Sequence, residues 1–247
     1  MARLPKRRRI GRGERMNAVW WLVCALLYVP VGVVFKLRYR GVDRVPERGG
    51  AIMVINHVSH VDPVLITRFV IDAGRVPRFL AKESIFRVPV VGAVVRALRQ
   101  VPVRRGTADA QQALVTAAEA VRAGQFVVLH PEGTVTRDPQ WWPMAGKSGA
   151  ARLALLVPDA PVIPVGQWGV QEQFDLYHKR VRLIPRPRHA ISVGEPVDLS
   201  EFRDAPPTPE TLRAMTDLIM RAIRDQVAEL RGEPAPTGEF FHWRRPE

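Results

Sequence analysis

Two ionisable side chains, His57 and Asp62, stand five positions apart in the stretch AIMVINHVSHVDPVL, from Ala51 to Leu65. A carboxylate that accepts from one ring nitrogen of a histidine fixes its tautomer. It also stabilises the imidazolium formed when the other nitrogen takes a proton. Such a pair is a general base for a hydroxyl. On a continuous helix residues five apart lie about 140° from each other and do not meet. With His57 in a turn after a strand and Asp62 at the N-cap of the next helix, the loop can fold them together. Spacing alone leaves a second reading open, in which Asp62 only caps its helix and His57 is a turn residue. His60 reads as a turn residue. A metal trio of His57, His60 and Asp62 matches no recognised ligand spacing and suggests no fourth ligand.

Several other chemistries fail on inspection. Gly146-Lys147-Ser148 lacks the partner glycine of a phosphate-binding loop, because Trp141 holds that position. No GxSxG occurs, so there is no nucleophile elbow. Cys24 is the one cysteine and sits in an apolar run. That excludes a disulfide framework and a cysteine-based zinc site, and it provides no well-placed thiol nucleophile. Neither a metal nor a cofactor is expected.

NHVSHVDP resembles the NHxSxxDP block of the glycerophospholipid acyltransferases, the family of 1-acyl-sn-glycerol-3-phosphate acyltransferases. Three more stretches follow in the family's order. VPVRRG, at Val101–Gly106, is similar to the second block, which ends on an arginine; Arg105 is the better match, and Arg104 replaces the common acid. HPEGT, at His130–Thr134, is similar to the third block, usually FPEGTR or YPEGTR, and PVIPVG, at Pro161–Gly166, to the fourth. The resemblance runs roughly from Arg38 to Gly194. Two departures stand out. Val135 occupies the place of the family's arginine after EGT, with Arg137 two residues on, and His130 replaces the aromatic before Pro131.

The resemblance implies acyl transfer from acyl-CoA or acyl carrier protein, as co-substrate, to a glycerophospholipid hydroxyl. Lysophosphatidic acid would be the acceptor and phosphatidic acid the product. His57 would be the base and Asp62 its orienting group, with no acyl-enzyme. Arg105, Glu132, Gly133, Thr134 and Arg137 would hold the acceptor's glycerol phosphate, guanidinium being the bidentate partner of phosphate. Glu132 would either bind a glycerol hydroxyl or brace the loop. Asn56, Ser59 and Pro164 would shape the acyl site or its frame. Arg104 and Lys147 rank as lesser anion contacts. Two alternatives stay open: another lysophospholipid or glycosylated lipid as acceptor, and a non-catalytic lipid-binding protein with the same fold.

The elements that must position these residues alternate along the chain. Short apolar runs such as AIMVI, QFVVL and APVIPVG predict strands covered on both faces. Between them, helices are predicted over residues 62–74, 83–98, 107–124 and 146–157. Further strands are predicted in KLRYRGV, RFLA, QVPV, VRLI and HAISVGEPVDL. An amphipathic helix from Pro209 to Leu230 closes the domain, with Leu212, Met215, Ile219, Ile223 and Val227 near one face. The expected class is α/β, a mostly parallel mixed sheet flanked by helices, as in glycerol-3-phosphate acyltransferases, with an N-terminal membrane-embedded helical segment.

Charge is concentrated at one end. The net charge is +13, and the first 44 residues hold eleven Lys and Arg against two acids, which leaves +4 for the other 203. Within that end, MNAVWWLVCALLYVPVGVVF is uncharged and lies between two basic clusters. A span needs about 20 apolar residues, so this piece is long enough to cross a bilayer or to embed in one leaflet, with Trp20, Trp21 and Tyr28 at headgroup level. Pro30 and Gly32 weigh against one straight span. An apolar run between basic clusters fits lipid and not nucleic acid. The expected organisation is an anchoring segment over 1–36, a catalytic domain over 37–232 and a tail over 233–247. The expected place is the cell membrane, with the catalytic domain on its cytoplasmic face.

Overall fold

In the computed structural model, residues 10, 14, 16–103, 109–175, 180–182 and 184–243 are described. The run from Ala51 to Ile55 is buried at every position because helices cover both faces of the strand it forms. Ala51, Met53 and Ile55 face one apolar core, and Ile52 and Val54 the other. That alternation is the period of two expected of a strand.

The chain order is α1 (Ala18–Val34), β1 (Lys36–Arg40), β2 (Ala51–Ile55), α2 (Asp62–Asp72), β3 (Pro77–Lys82), α3 (Glu83–Phe86), α4 (Val91–Ala97) and β4 (Val101–Val103). It continues with α5 (Asp109–Arg122), β5 (Phe126–Leu129), α6 (Gly149–Leu156), β6 (Val162–Trp168), β7 (Phe174–Asp175), β8 (Arg180–Val181), β9 (Arg188–Val193) and α7 (Pro209–Arg231). Seven strands form one sheet in the order β1-β9-β6-β2-β5-β3-β4, and β7 and β8 form a separate hairpin. Within the sheet only β6 and β9 pair antiparallel, so β1 and β9 run against the other five strands. The start of β1 therefore lies at the same edge as the carboxyl ends of β2, β5 and β6.

One face of the sheet is covered by α2, through Leu65, Ile66, Phe69 and Val70. The other is covered by α5, α6 and α7, the last through Leu212, Met215, Ile219 and Ile223. Helix α7 starts on Thr208, whose side chain accepts from Thr211 N, and stops at Gly232 in the left-handed region at φ 70°. It lies so close to β6 that a Cβ on Gly166 would sit 2.6 Å from the Gln226 carbonyl carbon. The apolar stripe expected on the closing helix, Leu212, Met215, Ile219, Ile223 and Val227, is thus a packed face.

Two expectations change. The predicted helix over 83–98 is two short helices, α3 and α4, because Pro89 and the turn after it break the run. The apolar N-terminal segment forms the 17-residue α1, about 26 Å long at 1.5 Å per residue and so shorter than a ~30 Å hydrocarbon core. Among the described residues no helix is long and apolar enough to cross a membrane. Helix α1 instead lies along α2. The Arg68 guanidinium sits 3.3 Å from the Tyr28 ring centre, and Asp72 accepts from Tyr28 Oη and, at 2.8 Å, from Arg68 Nε. Burial, and next the charge of Asp72, push the Tyr39 hydroxyl upward beside this group.

Candidate active site

Every predicted site residue that can be placed, apart from Pro164, lies on loops or at the first residue of a helix at the carboxyl edge of β2 and β5. In open α/β sheets that edge is where ligands bind. Strand β2 ends at Ile55 and hands the chain to Asn56 and His57. The Asn56 side chain closes the seam to β6: its Nδ2 donates to Gln167 O at 3.1 Å, and its Oδ1 accepts from Gln167 N at 2.8 Å. Ser59 Oγ donates to Phe174 O at 3.1 Å. Both side chains are buried frame pieces.

Asp62 is the first residue of α2, one position later than the N-cap expected for it; Val61 takes that place. Its carboxylate turns back over the preceding loop. A single oxygen, Oδ2, accepts from His57 Nδ1 at 2.8 Å, Val58 N at 2.8 Å, Ser59 N at 3.0 Å and Gln167 Nε2 at 2.8 Å. This loop geometry brings together two residues that a helix would keep apart. With Nδ1–H donated to Asp62, Nε2 carries the lone pair of the ring. The His57 side chain is 17% exposed and that of Asp62 is sealed at 0%, so the acceptor carboxylate is dry and the base can be reached.

The loop after β5 supplies the other half of the site. Glu132 is buried and bridges two segments: Oε1 accepts from His57 N at 2.8 Å and Oε2 from Met144 N at 2.9 Å. Of its two expected roles, this geometry is that of a loop brace. Burial pushes its carboxyl up to about 8, against the downward pull of the two amide hydrogen bonds. Thr136 N donates to His57 O at 2.8 Å, which ties the loops a second time. Gly133 stands at φ 73°, a conformation that favours glycine, and the end of the Lys147 side chain lies 3.3 Å from where its Cβ would be. Thr134 follows in the same turn. Val135 is buried at 2%, so the position where the family carries arginine faces inward here. The Arg137 guanidinium lies over the Trp243 ring at 5.3 Å. Pro164 is buried in β6 opposite Val54, one strand inward from the loops. Arg104 and Arg105 lie outside the described residues.

His130, Gln167 and His189 were not among the expected site residues. The His130 ring stacks on His57 at 4.2 Å between centroids and 19° between planes. Its Nδ1 lies 3.1 Å from Ile55 O and 3.0 Å from Asn56 O, which makes that nitrogen the donor. Burial first, and then the neighbouring His57, push His130 down to about 3, so it is a neutral ring at working pH. His189 on β9 is fully buried, and burial holds it down to about 4 against the opposing pull of Asp62. A signal for two of the three existed: β2, β5 and β6 each pass from a buried apolar run to a polar residue at one edge, Asn56, His130 and Gln167. His60 lies edge-on to His57 at 6.5 Å, and among the described residues no three His, Cys, Asp or Glu are grouped to hold a metal ion.

Comparison with known proteins places this geometry. Residues 36–168 match the acyltransferase family. The chain is 26% identical over 160 residues to a chloroplast 1-acyl-sn-glycerol-3-phosphate acyltransferase of Arabidopsis thaliana, covering 61% of this chain and 42% of that protein. It is 27% identical over 140 residues to the 1-acyl-sn-glycerol-3-phosphate acyltransferase of Borreliella burgdorferi, covering 56% and 54%. The matched stretch is thus about half the length of those relatives. An N-acylphosphatidylethanolamine synthase of Arabidopsis thaliana is 30% identical over 159 residues, covering 60% and 55%. Among solved structures, the 1-acyl-sn-glycerophosphate acyltransferase of Thermotoga maritima shares the fold, with a TM-score of 0.61, 22% identity and coverage of 87% of this chain and 81% of that one. Because the family match takes in more than half of the residues, and the His57–Asp62 loop with them, the chain belongs to the acyltransferase family.

Proposed function

We propose that this protein transfers a fatty acyl group from a thioester donor, acyl-CoA or acyl carrier protein, to the hydroxyl of lysophosphatidic acid at a membrane surface. The observation that carries the reading is the Asp62 carboxylate, dry and fed by three donors besides His57, aimed at Nδ1 of a partly exposed imidazole. His57 Nε2 takes the proton of the acceptor hydroxyl as its oxygen attacks the thioester carbonyl. Asp62 stabilises the imidazolium. When the tetrahedral intermediate collapses, the C–S bond breaks, an ester forms, and the imidazolium returns its proton to the leaving thiolate. No side chain is acylated. Glu132 holds the His57 backbone, and the neutral His130 ring is the floor that fixes the plane of the base.

For the acceptor's phosphate, Arg105 is the first choice by resemblance, and Lys147 is the cation that the fold sets against the Glu132-Gly133-Thr134 turn. Membrane association rests on α1. Its inner side is committed to α2, whereas Trp21, Leu22, Leu26, Val29 and Val33 are exposed, so it suits a helix embedded in one leaflet. The catalytic domain would then lie at the cytoplasmic face, with its donor in solution. Buried Val135, where the family has arginine, favours a second reading in which the acceptor is another lysophospholipid or a glycosylated lipid.

The test is acyl transfer by the full chain in detergent, with labelled oleoyl-CoA and an acceptor panel, beside His57→Ala. The panel holds lysophosphatidic acid, glycerol 3-phosphate, other lysophospholipids and a mannosylated phosphoinositide. Transfer to lysophosphatidic acid, lost in the variant, is expected. Transfer to a different acceptor alone moves the substrate and keeps the chemistry. No transfer to any of them, with carrier-protein donors also tried, leaves a lipid-binding protein.

A further inference from the structure

A second exposed apolar segment stands between α3 and α4. Between α3 and α4 the chain reads Ile85-Phe86-Arg87-Val88-Pro89-Val90-Val91, and of its apolar members only Phe86 is buried. Val88 is 47% exposed and Val90 77%. Single exposed valines are ordinary, but a run of them at a loop tip is not. Val90 stands at φ 64° and ψ −59°, and Val91 N donates to Pro89 O at 2.7 Å, which makes a γ-turn of positive φ. That turn is rare and strained, and a β-branched residue there is an outlier. The fold holds an apolar side chain out in solvent at an energetic cost.

The helix that follows the tip, α4, meets α1. Trp20 of α1 shares a buried cluster with Leu98, just past α4, and Val23 and Val94 pack against it. Asn17 Nδ2 donates to Ala97 O at 2.6 Å. In the segment from residue 82 to 99, Lys82, Arg87, Arg96 and Arg99 are exposed, and Glu83 is the only acid. An exposed apolar tip in a cation-rich segment that packs on an uncharged helix with an exposed tryptophan complements an anionic phospholipid surface. The placement also serves the site. Helix α3 leaves β3 at the carboxyl edge that carries His57, and the far end of α1 reaches the same edge, where the Phe35 ring lies 5.3 Å from Phe174.

We propose that the α3–α4 loop, Ile85 to Val91, is a second bilayer-contacting element that docks together with α1 on anionic phospholipid and so presents the carboxyl edge of the sheet to the headgroups. The proposal rests on the membrane association of α1 put forward above.

The experiment is co-sedimentation of the full chain with phosphatidylcholine vesicles, with and without phosphatidylglycerol. Two double variants are compared with wild type, Val88→Asp with Val90→Asp and Leu22→Asp with Leu26→Asp. The loop pair should weaken partitioning to the anionic vesicles by about tenfold or more. Its acyl transfer in detergent should stay at the wild-type level. An environment-sensitive dye on Val90→Cys, in a Cys24→Ser background, should shift to the blue on those vesicles. Should the loop pair lose activity in detergent, the dye decides. Wild-type sedimentation of the loop pair with an unshifted dye, while the α1 pair is released, overturns the second contact and keeps the first. Failure of the wild type to sediment with any vesicle overturns both.

Discussion

The carboxyl edge around His57 and the face made by α1 and the α3–α4 loop are built on opposite rules. At the edge, polar groups are buried and densely bonded to one another: one Asp62 oxygen accepts four hydrogen bonds, and Glu132 spends both of its oxygens on backbone amides, while Asp62 Oδ1, His130 Nε2 and Gln167 Oε1 are buried without a hydrogen-bond partner. On the outer face, apolar groups are exposed, as Trp21, Leu26 and Val90 show. Water disfavours each arrangement in isolation, since burying polar groups costs their hydration and exposing apolar ones forgoes the hydrophobic gain. The edge recovers much of that cost internally, through hydrogen bonds. The outer face recovers nothing within the chain. That asymmetry is why the first reads as a catalytic frame and the second as a surface awaiting lipid. It also predicts where substitutions will hurt the fold and where they will not.

The largest effect is expected at the edge. Asp62→Asn keeps the size of the side chain but replaces a carboxylate by an amide, which cannot stabilise an imidazolium. The value of kcat should fall about 10²–10⁴-fold, the range for losing a positioned acid–base group, with little change in KM. His57→Ala should fall at least as far. A KM effect with kcat intact would show that Asp62 belongs to binding and would undo the assignment of His57 as base.

Next comes the brace. Glu132→Ala leaves the amides of His57 and Met144 without an acceptor, at about 1–3 kcal/mol for each buried group left unpaired. Denaturant unfolding should register the loss. A change below about 0.5 kcal/mol would mean that the two loops hold together by other contacts and that the frame is less closed than it looks.

These residues also mark what could be read from the chain. The His57–Asp62 pair was legible because NHVSHVDP resembles a family block, and the central strands were legible because AIMVI, FVVL and PVIPV are apolar runs too short for helices. The partners were not. Gln167 lies 105 residues from Asp62 and Glu132 lies 75 from His57, and no local period encodes which loop meets which. The break before α4 was missed because the apolar residues on both sides of Pro89 were weighted above the proline, and the length of α1 because hydropathy counts apolar residues without fixing where a helix ends. Arg75 is a similar case, a buried guanidinium that donates to Glu14 and to the carbonyls of Pro46, Gly49 and Gly124, though a lone arginine in sequence reads as surface.

A smaller effect separates the edge from the face by pH. His130 is held near 3 and His189 near 4, both below the ordinary 6.5. A depressed folded value means that the unfolded chain binds more protons between the two values. The stability is therefore present above pH ~6.5 and is lost as pH falls toward the folded values. Glu132, raised from 4.5 to about 8, works in the other direction, losing stability as pH rises across that window. Between about pH 4.5 and 6.5 the two histidines together outweigh Glu132, so stability falls as the solution is acidified there; at lower pH the lowered carboxyls of Asp198 and Glu210 add to the loss. His130→Phe keeps a ring against His57 and removes one titration, which should flatten the fall by up to about 1.4 kcal/mol per pH unit. Urea unfolding from mildly acidic to neutral pH measures this, and an unchanged slope would mean that His130 is charged in the folded protein.

The smallest effect is on the outer face, and there the sign is the point. Val90→Gly places a residue that tolerates positive φ in the γ-turn and removes strain of about 1–3 kcal/mol, against about 0.5–1 kcal/mol for the added freedom of the unfolded chain. The variant should be slightly more stable in solution, by about 1 kcal/mol, and should bind anionic vesicles less well because the side chain at the tip is gone. Gain in one measurement with loss in the other is what a strained apolar residue kept for contact predicts. If Val90→Gly were destabilising, the valine would belong to the packing of α3 against α4, and its exposure would need a different cause. If stability rose while vesicle binding held, the strain would serve no membrane contact, and the face would reduce to α1 alone.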